Sequence, residues 1–213
     1  MMLADRGFSA RAIQLYSETL EARNRVLGPA HLDSLKTAVN LGLELYKSGE
    51  LPRACIELRA TITKLERVVG RTHPLTLSAL TNLSLALVAM EPKSEEAQWL
   101  SREVAENRHI VLGAEHVETL DGLRDWAFVL AAAGRLAEAE EVGRRALRGM
   151  ERVLGFGHPK TRQALRSLGE VCGSQGRSEE AEELMREHSA GTAATAKEVP
   201  EPQPHGPIVL VVL

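Results

Sequence analysis

A ten-residue stretch that the chain writes four times limits its fold more than any other feature. Val26-Leu-Gly-Pro-Ala-His-Leu-Asp-Ser-Leu35 returns as Val68-Val-Gly-Arg-Thr-His-Pro-Leu-Thr-Leu77 and as Val111-Leu-Gly-Ala-Glu-His-Val-Glu-Thr-Leu120. A looser copy runs Val153-Leu-Gly-Phe-Gly-His-Pro-Lys-Thr-Arg162. The glycines at 28, 70, 113 and 155 stand 42, 43 and 42 residues apart. A fixed period in this range marks stacked repeats, each burying its apolar face against its neighbours.

Each copy reads as a helix stop followed by a helix start. An apolar pair before Gly is how a helix ends, since Gly takes the left-handed conformation without a Cβ clash. Arg25, Arg67 and Arg152 precede their glycines by three residues, where a cation suits the negative end of the helix dipole. Beyond each Gly comes His, followed at 74 and 159 by Pro, which suits a first helical turn. The stretch is therefore a tight joint between helices, with left-handed glycines and the histidines capping the helices that follow.

Counting from each His gives the first helix of a repeat. Leu35, Leu77 and Leu120 stand four residues on; Ala38, Leu80, Leu123 and Leu165 seven on; Leu41, Leu83, Trp126 and Leu168 ten on. With Leu45, Leu87, Leu130 and Cys172 at fourteen, these positions make one helical stripe. Position eleven is always small (Gly42, Ser84, Ala127, Gly169), so a neighbouring helix must pack too close there for a side chain. Gly49, Gly134 and Gly176 then mark a turn into a second helix, with Ala54, Ala139 and Ala181 five residues later. The middle repeat replaces this turn with Met90-Glu-Pro-Lys-Ser-Glu-Glu-Ala97, where Pro92 forces the break. Gly7 and Ala12 match Gly49 and Ala54, so residues 8–27 read as an orphan second helix and the chain as beginning mid-repeat. Four repeats start near 31, 73, 116 and 158, giving nine helices and an array over 1–188.

Helix pairs with these Gly and Ala landmarks resemble the tetratricopeptide repeat (TPR). The 42-residue form, with its Val-Leu-Gly-x-x-His-Pro-x-Thr joints and with Asn40-Leu41 and Asn82-Leu83 in the first helices, is similar to the kinesin light chain type. The resemblance covers residues 7 to about 188 and implies an all-α, right-handed superhelical solenoid of antiparallel helix pairs. Asp125 and Ser167 stand where the pattern has Asn, which leaves an asparagine ladder half present. No heptad segment for a motor heavy chain accompanies the array.

Composition narrows function by exclusion. The chain is 44% hydrophobic, enough for a core, but only 3% aromatic, so that core must be aliphatic. A net charge of −3 gives no electrostatic case for nucleic acid or an anionic membrane. Cys55 and Cys172 fall at core positions of different repeats, as reduced thiols of a cytoplasmic protein would. The N-terminus lacks the apolar region of a signal peptide, and no apolar run reaches the length of a membrane span.

Candidate chemistry reduces to structure. Equivalent histidines in stacked repeats lie on the order of 10 Å apart, whereas zinc needs ligands at about 2 Å; His31, His73, His116 and His158 are expected as caps, with no metal or cofactor. Gly155-Phe-Gly-His-Pro-Lys-Thr161 lacks the strand and the Gly-Lys of a phosphate loop. His31, Asp33 and Ser34 lie too close along one helix start for a catalytic relay. Charged second helices such as 135–146 carry no sustained heptad and are interrupted by Gly143 and Gly149. The sequence therefore reads as non-enzymatic.

The resemblance implies a concave groove lined by positions 5, 9, 12 and 16 after each His. These are Lys36, Asn40, Leu43 and Lys47; Ser78, Asn82, Leu85 and Ala89; Asp121, Asp125, Phe128 and Ala132; and Gln163, Ser167, Glu170 and Ser174. Leu43, Leu85 and Phe128 would form an apolar line beside amides able to bond an extended peptide. The implied function is an adaptor that binds a peptide segment of a protein partner. The alternative is a regulatory or sensor arm of a larger signalling NTPase, or a fragment of a kinesin light chain-like protein. Uncapped terminal helices leave end-to-end self-association open. Residues 189–213 read as a disordered Pro-rich tail ending in the apolar hexapeptide Ile208-Val-Leu-Val-Val-Leu213, which either hangs free, covers the last helix or adds to a partner as a strand.

Overall fold

The computed structural model describes residues 3–197. Over that range it consists of nine α-helices: α1 (Leu3–Val26), α2 (Leu32–Ser48), α3 (Leu51–Val68), α4 (Pro74–Met90), α5 (Glu95–Leu112), α6 (Val117–Ala132), α7 (Leu136–Leu154), α8 (Pro159–Ser174) and α9 (Ser178–Lys197). No strand occurs among the described residues. The even-numbered helices are the first helices of the repeats, and the odd-numbered ones are second helices.

The joints work as helix starts through one recurring hydrogen bond. The Nδ1 atoms of His31, His73, His116 and His158 accept the backbone N–H of residues 33, 75, 118 and 160, each at 3.2 Å. Each histidine thereby satisfies one of the orphan donors of a helix N-terminus. In two joints a threonine adds a second tie: Thr76 and Thr161 donate to the carbonyls of Gly70 and Gly155 at 2.8 and 2.9 Å. The joint glycines all have positive φ, as expected. Gly113 (φ 90°, ψ 165°) and Gly155 (φ 81°, ψ 164°) nevertheless lie outside the left-handed helical region. The cause is that the chain leaves α5 and α7 extended, toward the next cap, instead of curling back on the helix end.

The glycine turns within repeats also have positive φ, and at Gly49 the left-handed helical form is complete. Gly49 has φ 85° and ψ 7°, and the residue after each turn glycine donates back across the helix end. Glu50 reaches Leu45, Arg135 reaches Leu130 and Arg177 reaches Cys172, at 2.9, 2.9 and 3.0 Å. This is the bonding pattern that closes a helix on a glycine. In the middle repeat α4 stops at Met90, and Ser94 starts α5 by accepting the Ala97 N–H at 3.3 Å.

Packing follows the small residues. A Cβ on Gly42 would lie 2.5 Å from Leu58 Cδ2, so α2 and α3 meet there in the way its size demands. Gly149 of α7 sits as tightly against Leu120 of α6. The core is aliphatic: Leu45, Leu58, Leu65, Leu77, Leu80, Leu130, Met150 and Leu168 are among its fully buried side chains. Cys55 and Cys172 are buried free thiols. Every helix packs on the next, and the first helices also touch one another in the series α2, α4, α6, α8. Among the described residues, no Cα of one second helix comes within 8 Å of another second helix. Side chains span those outer gaps. Arg59 of α3 makes two hydrogen bonds of 2.6 Å to Glu96 of α5, while Arg144 and Arg177 reach Glu180 and Glu140 across the α7–α9 boundary.

Two boundaries differ from expectation. The first helix starts at Leu3 and passes through Gly7 without a turn, since a helical Gly costs only about 1 kcal/mol relative to Ala. At the other end α9 continues beyond His188 to Lys197, carried by an alanine-rich run with strong helix propensity. The Pro-rich remainder and the hexapeptide 208–213 lie outside the described residues.

Candidate functional site

The first helices touch one another and the second helices do not, so the first helices line the inner side of the array. Tyr46 of α2 reflects this: burial, and then the carboxylate of Asp125 on α6, raise its phenol above the ordinary value of 10.0.

The groove positions separate into two clusters and a central span. At the N-terminal end Lys36 and Asn40 line a cavity of about 580 Å³ with Ala12, Leu15, Tyr16 and Arg23, between α1 and α2. At the other end Phe128, Ser167 and Glu170 line a cavity of about 250 Å³ between α6 and α8, together with Ala132 and Ser174. Between them Leu43, Asn82 and Leu85 are half-buried and Ala89 is exposed. Several polar groups are already engaged. Lys47 pairs with Glu44 at 2.8 Å, and Ser78 donates to the Pro74 carbonyl at 2.9 Å. No side-chain hydrogen bond within the described residues engages Asn40, Asn82 or Ser167.

Asp121 and Asp125 belong to an internal charge cluster. Arg124 lies 3.1 Å from Asp121 and 2.9 Å from Asp125, and it donates to Gln163 Oε1 on α8 at 3.0 Å. Lys160 reaches Asp121 from the start of α8 at 2.5 Å. Burial raises the Asp125 carboxyl above its ordinary value, against the pull of Arg124. For Arg124 burial opposes the charge, but Asp125 and Asp121 outweigh it and hold the guanidinium above its usual value. The cluster ties α6 to α8 and leaves neither aspartate as a bare charge. Sequence reasoning missed Arg124, although its spacing three residues after Asp121 was the available signal. It also missed Arg23 and Arg108. Arg23 donates to the Asp33 carbonyl at 3.0 Å, and Arg108 to the Glu118 carbonyl at 3.3 Å, so each clamps the start of the following first helix.

Among the described residues no group of three or more His, Cys, Asp or Glu side chains is placed to hold a metal ion. No described helix is long and apolar enough to cross a membrane.

Two tetratricopeptide repeat family models match the chain, one over residues 1–33 and 34–75 and the other over 118–192. The chain belongs to the tetratricopeptide repeat family. Solved TPR structures share its fold. A Podosopora anserina protein described as a kinesin light chain with nearly identical TPR-like repeats superposes with a TM-score of 0.74 at 22% identity, covering 91% of each chain. BtubC (BKLC) from P. vanneervenii gives a TM-score of 0.72 at 17% identity, covering 99% of this chain and 83% of the other. MamA protein gives 0.53 at 15% identity, covering 94% and 92%. No curated protein matches in sequence. This TPR array thus shares its fold with solved structures described as kinesin light chain repeats, and that fold is a protein-interaction repeat module.

Proposed function

We propose that this TPR array is a non-enzymatic cytoplasmic adaptor that binds an extended peptide segment of a partner protein along its inner face. One observation carries the reading. The first helices carry Asn40, Asn82 and Ser167, whose side chains make no hydrogen bond inside the described chain, and they also carry half-buried Leu43 and Leu85 and exposed Phe128. An extended peptide supplies what such a surface lacks: backbone donors and acceptors at regular spacing and alternate apolar side chains. Selection from a displayed peptide library on the whole chain, followed by affinity measurement on Asn40→Ala/Asn82→Ala, tests this. The double variant is expected to lose most binding while its helicity stays unchanged. Full affinity in the double variant for every selected peptide would overturn the reading.

A second reading takes the array as a regulatory arm within a larger signalling protein. It is favoured by the cavity between α1 and α2, which lies where the first helix of a preceding repeat would pack. Stabilisation of the array by a fused upstream segment, read as a higher melting temperature, distinguishes the two.

A further inference from the structure

The cavity between α6 and α8 has a cause in the sequence that points to a class of ligand; the inference rests on the peptide reading above and sharpens it. Fifteen residues after the joint histidines stand Tyr46, Val88, Ala131 and Gly173, a series of falling size. Tyr46 packs against the core of the first repeats, and Val88 is buried with Val129 of α6. Ala131 leaves the same level open, and the resulting space of about 250 Å³ is walled by Ala127, Gly143 and Ala164. Cavities that enclose drug-sized ligands run to roughly 300–1,000 Å³, so this one suits a single large apolar side chain.

Its mouth is polar in a particular way. Arg124, at one end, is matched by Asp121 and Asp125, and Lys160 is drawn onto Asp121. Two cations and two carboxylates leave no positive charge for an acidic ligand. Glu170, exposed on α8, has no ion pair among the described residues, and the Ser167 hydroxyl has no hydrogen bond there. Phe128 is 45% exposed on the opposite wall.

We propose that this cavity anchors one aromatic or large aliphatic side chain of an extended peptide whose adjacent residue is Lys or Arg, the cation pairing with Glu170. Ser167 then serves the peptide backbone, and Phe128 covers the anchor.

The test uses the full isotope-labelled chain and chemical-shift titration with eight-residue Gly/Ser-framed peptides whose central pair is Lys-Phe, Glu-Phe or Lys-Ser. Lys-Phe is expected to shift amides around Ala131, Ser167 and Glu170 and to bind about two- to fivefold more tightly than Glu-Phe, the range of a partly exposed ion pair. Lys-Ser should give no saturable shifts. Glu170→Lys should invert the Lys/Glu preference, and Ala131→Tyr should abolish binding by filling the cavity as Tyr46 fills its own level. If circular dichroism shows that Ala131→Tyr has lost helicity, the Glu170→Lys inversion decides. Absence of Lys-Phe shifts at α6 and α8, equal affinity for the two charges, or a preference unmoved by Glu170→Lys overturns the proposal. Library-selected peptides that depend on Asn40 and Asn82 yet ignore Ala131→Tyr and Glu170→Lys would overturn this inference and leave the groove reading intact.

Discussion

Substitution at Gly49 and Gly113 separates two kinds of glycine that look alike in the sequence. Both have positive φ, but ψ is 7° at Gly49 and 165° at Gly113. A Cβ added at either meets nothing within 4 Å, so any penalty comes from the backbone alone. Alanine in the left-handed helical region costs about 1–2 kcal/mol. The region of Gly113 is essentially restricted to glycine and lies at the upper end of roughly 1–3 kcal/mol. Both losses are offset by about 0.4–1 kcal/mol, because alanine stiffens the unfolded chain. Gly49→Ala should therefore cost about 0.5–1 kcal/mol, and Gly113→Ala about 2 kcal/mol. Asparagine sharpens the contrast, since it tolerates the left-handed helical region and not the other. Gly49→Asn should be close to neutral, while Gly113→Asn should match Gly113→Ala. Urea unfolding followed by circular dichroism measures all four, compared at equal m-values. Equal tolerance of Asn at the two sites would refute the reasoning.

Three further outcomes are expected. Gly42→Ala should destabilise the array by about 1 kcal/mol in the same assay, because overpacking against Leu58 costs about 1–3 kcal/mol and the helix-propensity gain returns about 1; a stabilised variant would show that α3 gives way freely. Asp125 has a folded-state pKa raised above 3.8, so its contribution to stability is fully present below 3.8 and is lost as pH rises through the raised folded-state value. Asp125→Asn should accordingly gain on the wild type between pH 4 and pH 7 in thermal melts, and a loss over that interval would contradict the burial argument. His116→Ala should cost about 1 kcal/mol and His116→Asn much less, since Asn restores a cap acceptor; equal losses in melting experiments would mean that the imidazole packs more than it caps.

What could be read in advance was whatever repeats. The joints, the caps, the within-repeat turns and the aliphatic core all recur at 42- or 43-residue spacing, and helical periodicity places each on a face. The pairs Arg59–Glu96 and Arg144–Glu180 join residues 37 and 36 positions apart, and periodicity within one helix carries no information about such distances. Gly113 was readable in φ and not in ψ, because ψ depends on where the following cap sits. At the site, the resemblance supplied positions 5, 9, 12 and 16 of each first helix. The cavity instead depends on position 15, where Ala131 replaces the Tyr46 of the first repeat.

Contact along the first helices, without backbone contact between the second helices, gives the array unequal stiffness. In mechanical terms it is a spring: the inner side is a packed strut, while arginine–carboxylate pairs hold the outer gaps between α3 and α5 and between α7 and α9. Mobile ions act on such pairs, since the Debye length falls from about 10 Å at 0.1 M salt to about 3 Å at 1 M. Curvature is therefore the soft coordinate of the molecule, and the width of the inner face varies with it. Solution scattering at low and high salt should register a change in radius of gyration at constant helicity; an unchanged radius would mean that the shared core alone sets the bend. A partner that prefers one curvature would then tighten or slacken every repeat at once, including those it never touches.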